Sequence, residues 1–170
     1  MSQKETFKNE LFQCLEETSE LYINHYAYAY NILISYFFEK PIKPLIEIEA
    51  AFSHLASAIL DFKKGNKEAS LQNLKRFKGH IERLLLDLYK LCFLKLHELI
   101  NRNINNVEQL PDNTLLLLNL ECTISCAFKE ARKAEIHKIG DDKKEVLEIY
   151  KTNLEKVINL YEEIVPKLKE

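Results

Sequence analysis

Glycine is scarce in this chain, with three residues in 170, at Gly65, Gly79 and Gly140. Tight turns and phosphate cradles consume glycine, so this scarcity argues against a Rossmann sheet, a β-sandwich and a P-loop enzyme. Tryptophan is absent and proline is limited to four residues. No apolar run approaches the roughly 20 residues of a membrane span; the longest purely aliphatic run is Leu115 to Leu118. The first twenty residues, MSQKETFKNELFQCLEETSE, lack the apolar centre of a signal peptide. The expectation is a cytoplasmic protein with reduced thiols and no membrane attachment. An excess of one charge is missing as well: 24 basic residues stand against 26 acidic ones, for a net charge of −2. Overall charge therefore steers the protein toward neither polyanions nor polycations.

What is present is a composition of 46% hydrophobic and 29% charged residues, which belongs to a soluble helical domain. The length fits a single domain over residues 1–170, and no Ser/Gly-rich linker or low-complexity tract divides it. Five helices can be read. Ser2 and Glu5 form a capping box that opens the first. Phe7, Leu11, Cys14, Thr18, Leu21, His25, Tyr28 and Ile32 then follow a four-three spacing, and Leu15, Tyr22, Tyr26 and Leu33 widen the face. This helix reaches about Glu39, before Pro41 and Pro44. The second, Leu45 to Lys64, is expected to bury Ile48, Phe52, Leu55, Ile59 and Phe62. Gly65-Asn66 ends it with so short a connection that helices two and three must form an antiparallel hairpin. The third runs from Lys67 to about Ile100, with Gly79 as a point of bending, and Asn101 to Asn113 reads as the one real loop. The fourth spans Thr114 to Ile139, with Gly140 as terminator. A second capping box, Asp142 and Glu145, opens the last helix, whose face is Val146, Tyr150, Val157, Tyr161 and Ile164 before Pro166. The fold class is all-α: a five-helix, mostly up-and-down antiparallel bundle.

Several groups of residues bear on chemistry. His54 to Asp61 and His80 to Asp87 share the pattern H-φ-x-x-x-φ-L-D on adjacent helices. Hairpin geometry brings His54 and His80 within about one turn but leaves Asp61 and Asp87 roughly 25 Å apart, so four metal ligands do not converge. These residues read as boundary groups that hydrogen-bond across the hairpin, with Arg83 and Lys90 as helical neighbours of Asp87. Cys122 and Cys126 share a face at i, i+4 and read as small buried side chains. Tyr22, Tyr26, Tyr28, Tyr30, Tyr36, Phe37 and Phe38 surround helix one too broadly for a single buried stripe, so some are expected to reach a partner surface or a pocket. Between Lys63 and Arg83, seven cations face only Glu68 and Glu82. Lys63, Lys64, Lys67, Lys75, Arg76 and Lys78 are thus candidate phosphate contacts, and a solvated face accounts for them equally.

The last constellation is A-R-K-A-E-I-H-K-I-G, Ala131 to Gly140, in which four residues separate Arg132 from His137. Here the chain resembles the HEPN superfamily (higher eukaryotes and prokaryotes nucleotide-binding), helical bundles whose ribonuclease members carry Arg-x4-6-His late in the bundle. The resemblance implies metal-independent RNA cleavage across a dimer interface, with His137 as general acid or base and Arg132 on the scissile phosphate. Lys133 and Lys138 would then hold the RNA backbone. Lys133 departs from the family's small polar residue after the arginine, and five positions set Arg132 and His137 about 140° apart on a straight helix. The leading expectation is a non-catalytic HEPN-like interaction module that forms a homodimer or docks to a partner protein. The ribonuclease is the alternative. Neither a metal nor a cofactor is expected.

Overall fold

A computed structural model describes residues 3–38, 40–106, 111–137 and 143–167. Among them every element is helical, and the fold is an all-α bundle of five rods. The first rod is α1 (Gln3–Leu21), which passes through a π-helical turn (Tyr22–Tyr26) into α2 (Ala27–Phe37). It is followed by α3 (Ile42–Lys63), α4 (Lys67–Asn106), α5 (Pro111–His137) and α6 (Lys143–Lys167). Chain contacts group residues into two compact units, Met1–Leu88 and Tyr89–Glu170, with α4 contributing to both.

In the first unit the four-three spacing of α1 and α2 is reproduced: Phe7, Thr18, Leu21, His25 and Ile32 are buried. Tyr22, placed on the widened face by its spacing, is instead 57% exposed. The π-turn begins at Tyr22, and beyond its first residue His25, Ala29, Ile32 and Leu33 keep to the buried side. Phe38 ends the rod in a left-handed conformation (φ 52°), its N–H bonded to the Ile34 carbonyl.

The α3–α4 hairpin forms as expected. Gly65 takes φ 83°, which an L side chain rarely adopts, and Asn66 N–H closes on the Asp61 carbonyl at 2.9 Å. Across the hairpin the buried Ser70 Oγ donates to the Ala58 carbonyl at 2.6 Å. The core here joins Phe7, Ala58 and Leu74, with Leu11, Leu55, Phe62 and Leu71 packed around them, and Phe7 stacks on Phe62 at 3.9 Å. One expectation about α3 is corrected. Its inward side is the small-residue face of Pro44, Ala51 and Ala58, whereas Phe52 is 60% and Ile59 37% exposed. Small side chains let neighbouring backbones approach closely, so Ala51 and Ala58 win the interior over bulkier neighbours on the same helix.

In the second unit, α5 buries Leu117, Leu120, Ile124, Ala127 and Ala131 at alternating three- and four-residue steps. α4 buries Tyr89, Cys92, Phe93, Leu96 and Ile100 and α6 buries Val146, Tyr150, Leu154 and Val157, and aromatic pairs join the three helices, with Phe93 5.3 Å from Phe128 and Tyr89 5.9 Å from Tyr150. The expected Asn101 to Asn113 loop is also corrected. Asn101 to Asn106 continue α4, and α5 already begins at Pro111, where proline's fixed φ and missing N–H suit a first turn. The buried Ile100 and the Arg102–Glu98 pair (3.9 Å) carry α4 past its expected end. α4 remains α-helical through Gly79. Ser2 and Asp142 of the two capping boxes, Glu39, residues 107–110, Lys138, Ile139 and Gly140 lie outside the described residues.

Candidate functional site

Among the described residues, α3 carries a row of exposed apolar side chains. Ile42 is 72%, Ile46 60%, Phe52 60%, Ile59 37% and Leu60 54% exposed. At about 100° per residue these five side chains fall within an arc of roughly 140°, on the side away from Pro44, Ala51 and Ala58. Between Ile42 and Leu60, Glu49 is the one charged residue within that arc. α3 is thus apolar on both sides, and only one side is covered. On the first rod, Tyr22, Tyr26 and Tyr30 form a stacked ladder with ring separations of 4.9 and 5.4 Å, and Ile23 beside them is 70% exposed. Burial raises the Tyr26 phenol above its ordinary range, helped by its two neighbours in the ladder.

The α3–α4 hairpin carries a polar network on its other flank. His54 Nδ1 meets Asn73 Oδ1 at 3.0 Å, and Asn73 Nδ2 donates to Asp61 Oδ2 at 3.0 Å. His80 Nδ1 meets Glu47 Oε2 at 2.6 Å, and the Arg83 guanidinium lies 3.6 Å from the same oxygen. The two imidazoles stack with centroids 5.1 Å apart and planes 18° from parallel. The histidines of the repeated pattern therefore hydrogen-bond across the hairpin. The aspartates of that pattern do not join them as a quartet: Asp61 serves Asn73, and Glu47 occupies the place beside His80. Among the described residues no group of three His, Cys, Asp or Glu side chains is arranged to hold a metal.

Elsewhere in the first unit, a cleft of about 320 Å³ is lined by Cys14, Glu17, Leu74 and Lys78. Its thiol is pushed up by burial and then by Glu17. Lys78, a candidate phosphate contact, is committed there, with Nζ 2.7 Å from Glu17 and 4.0 Å from Glu82. Lys63, Lys64, Lys75 and Arg76 are exposed and Lys67 half-buried. Arg76 lies about 100° around α4 from Lys75 and about 160° from Lys78, so these cations do not share one face.

Arg132 and His137 both lie on α5, which stays helical through His137, so their directions remain about 140° apart. His137 and Lys133 are exposed. Arg132 is half-buried rather than on the exposed turn its sequence position suggests. Its guanidinium bonds Glu135 Oε2, an oxygen that also accepts from Tyr150 Oη at 2.7 Å, while Lys90 Nζ sits 2.9 Å from Oε1. Burial alone would raise the Glu135 carboxyl, but Tyr150, Lys90 and Arg132 together hold it below its ordinary value. Burial and the bond to Glu135 push the Tyr150 phenol far up. A fork engaged in this way must leave Glu135 before it can receive a phosphate. Cys122 and Cys126, expected inside, are both exposed. The buried side of α5 belongs to Leu120, Ile124 and Ala127, which leaves 122 and 126 on the solvent side of the same helix.

Sequence reasoning missed Glu47, Asn73, Glu135 and the outward side of α3. The first two were accessible by counting across the turn, because Glu47–His80 and His54–Asn73 are symmetric about the same point just before Lys64. The outward side of α3 carried no signal that set it apart from the inward one, since apolar residues fall on both and only the flank of Glu47, His54 and Asp61 is polar. Compared with protein-family models, curated proteins and solved structures, the chain matches none of them.

Proposed function

We propose that this chain is a helical interaction module that self-associates, with the outward side of α3 as the contact surface between two copies. The observation that supports this reading is the exposure of Ile42, Ile46, Phe52, Ile59 and Leu60 along one side of a helix whose opposite side is already packed. Beside its polar flank of Glu47, His54 and Asp61, α3 carries apolar residues on two sides, and only one of those sides is in an interior. The five side chains together leave on the order of 500 Å² in water, at the upper end of the largest patch on a typical monomer. Two copies would remove about 1,000 Å², the lower bound of a specific interface. A second copy fits because an apolar stripe along one helix meets its own image in a two-fold, isologous contact without any further feature.

The test is sizing with light scattering of the wild type beside Ile46→Glu and Leu60→Glu. A new carboxylate in a closed apolar contact is desolvated without a partner, which dissociates the pair. The reading predicts a mass near 40 kDa for the wild type, twice the 20.0 kDa chain, and monomers for both variants. A wild type that stays monomeric at high concentration, or variants that remain dimeric, would count against it.

A further inference from the structure

We infer that the cleft between α1 and α4 in the first unit binds a small zwitterion, an α-amino acid with a compact apolar side chain. On α1 it is lined by Glu10, Gln13, Cys14 and Glu17, and on α4 by Leu71, Leu74, Lys75 and Lys78. Both sets follow the spacing i, i+3, i+4, i+7, which keeps each on one helical face. Two contacts fix how these faces meet. Lys78 Nζ lies 2.7 Å from Glu17, and Cys14 Sγ lies 3.9 Å from the Leu74 carbonyl oxygen. The two helices therefore run parallel here, with Cys14 level with Leu74 and Glu17 level with Lys78.

The cleft has an acidic wall, a basic wall and an apolar floor. Glu10 and Glu17 come from α1, Lys75 and Lys78 from α4, and Cys14 and the two leucines lie between them. At one end the walls close on each other through the Glu17–Lys78 pair. Toward the other end they stay open: Glu10 and Lys75 are exposed, and neither has a partner among the described residues. The register sets these two residues about 7 Å apart along the helices. An α-amino acid held at both ends by hydrogen bonds of about 2.8 Å spans about 8–9 Å from carboxylate to ammonium. A zwitterion therefore supplies to each wall the charge that the opposite wall does not bring to it.

Charge disfavours simpler ligands. A phosphate or other anion meets Glu10 and Glu17, and a polyamine meets Lys75 and Lys78. The volume of about 320 Å³ is at the lower end for ligand pockets, so the ligand is compact. Leu71 and Leu74 belong to the cluster around Phe7 and Ala58, so packed side chains back the floor on which the ligand's apolar part rests.

The test follows the amide resonances of the full chain by NMR as L-leucine is added at neutral pH. Isocaproate, which keeps only the carboxylate, and isoamylamine, which keeps only the ammonium, are titrated beside it. L-Leucine should shift the amides of residues 10–17 and 71–78 along one saturable curve. Each single-charge probe should bind about ten-fold more weakly. Glu10→Gln and Lys75→Gln alter exposed side chains, and each should weaken L-leucine by about ten-fold. A second readout uses Cys14, which in a Cys122→Ser/Cys126→Ser background is the one thiol outside the core, because Cys92 is buried. Bound L-leucine should slow its alkylation by iodoacetamide. Absence of saturable shifts, equal binding of the single-charge probes, an affinity unchanged by Glu10→Gln and Lys75→Gln, or shifts confined to other helices would overturn the proposal.

Discussion

Replacing Tyr150 by Phe removes a single oxygen and leaves the ring, so it isolates the hydrogen bond at the centre of the second unit. Tyr150 is fully buried, its ring is 5.9 Å from Tyr89 and 6.4 Å from Phe93, and its hydroxyl donates to Glu135 at 2.7 Å. The aromatic contacts survive the change, and the loss is one hydrogen bond to an ionised acceptor, worth about 1.5–3 kcal/mol. Glu135 keeps Lys90 and Arg132, and its side chain is 20% exposed, so water can replace part of what is lost. The expected cost is therefore near the lower end, about 1.5–2 kcal/mol, or a fall in Tm of roughly 3–8 °C.

The assay is urea and thermal unfolding followed by near-ultraviolet circular dichroism, which reports the packed tyrosines. The cost must also depend on pH. The folded-state pKa of Glu135 lies below its ordinary value of 4.5, so its stabilisation is present above about pH 4.5 and is lost as pH falls through the folded value. The difference between wild type and Tyr150→Phe should narrow over that acid range, and should be smaller in a Glu135→Gln background. A Tyr150→Phe protein within about 0.5 kcal/mol of wild type at neutral pH would refute the assigned role of the network.

Other substitutions test the same packing. Gly79 is helical, and a Cβ there meets nothing within 4 Å, so Gly79→Ala should stabilise the chain by about 0.5–1 kcal/mol, measurable as a higher urea midpoint. Ala58 is fully buried against Phe7 and Leu74, so Ala58→Leu should cost about 1–3 kcal/mol through overpacking, while Ala56→Leu on the exposed side of α3 should cost far less. Arg132→Ala should lower the thermal midpoint at neutral pH and lose that effect in acid, once Glu135 is protonated.

Much of the fold was legible because it rests on local rules. The spacing from Phe7 to Ile32, the Gly65-Asn66 turn and the α6 stripe from Val146 to Ile164 each state their element in a few residues. The failures came where two elements compete for one surface. On α3, hydrophobicity ranked Phe52 and Ile59 as core, but the closeness of the hairpin selected Ala51 and Ala58. On α5, Cys122 and Cys126 are as apolar as their neighbours, yet the stripe of Leu120, Ile124 and Ala127 had already taken the inner side. For the sites, motif spacing directed attention to Arg132 and His137, whereas the bond from Arg132 to Glu135 depends on Lys90 and Tyr150, which lie on two other helices. Residue types alone gave no sign of that convergence.

Contact between two copies through the outward side of α3 can be read atom by atom with isotope-filtered NOE spectroscopy. The sample mixes equal amounts of methyl-labelled and unlabelled protein, so that only contacts between copies give signals. The predicted signals connect the methyls of Ile42, Ile46, Ile59 and Leu60 to one another's copies and to the Phe52 ring, which the monomer leaves in water. Contacts between copies that arise only elsewhere, for example at Leu115 and Leu118 of α5, or no such contacts in a concentrated sample, would contradict it.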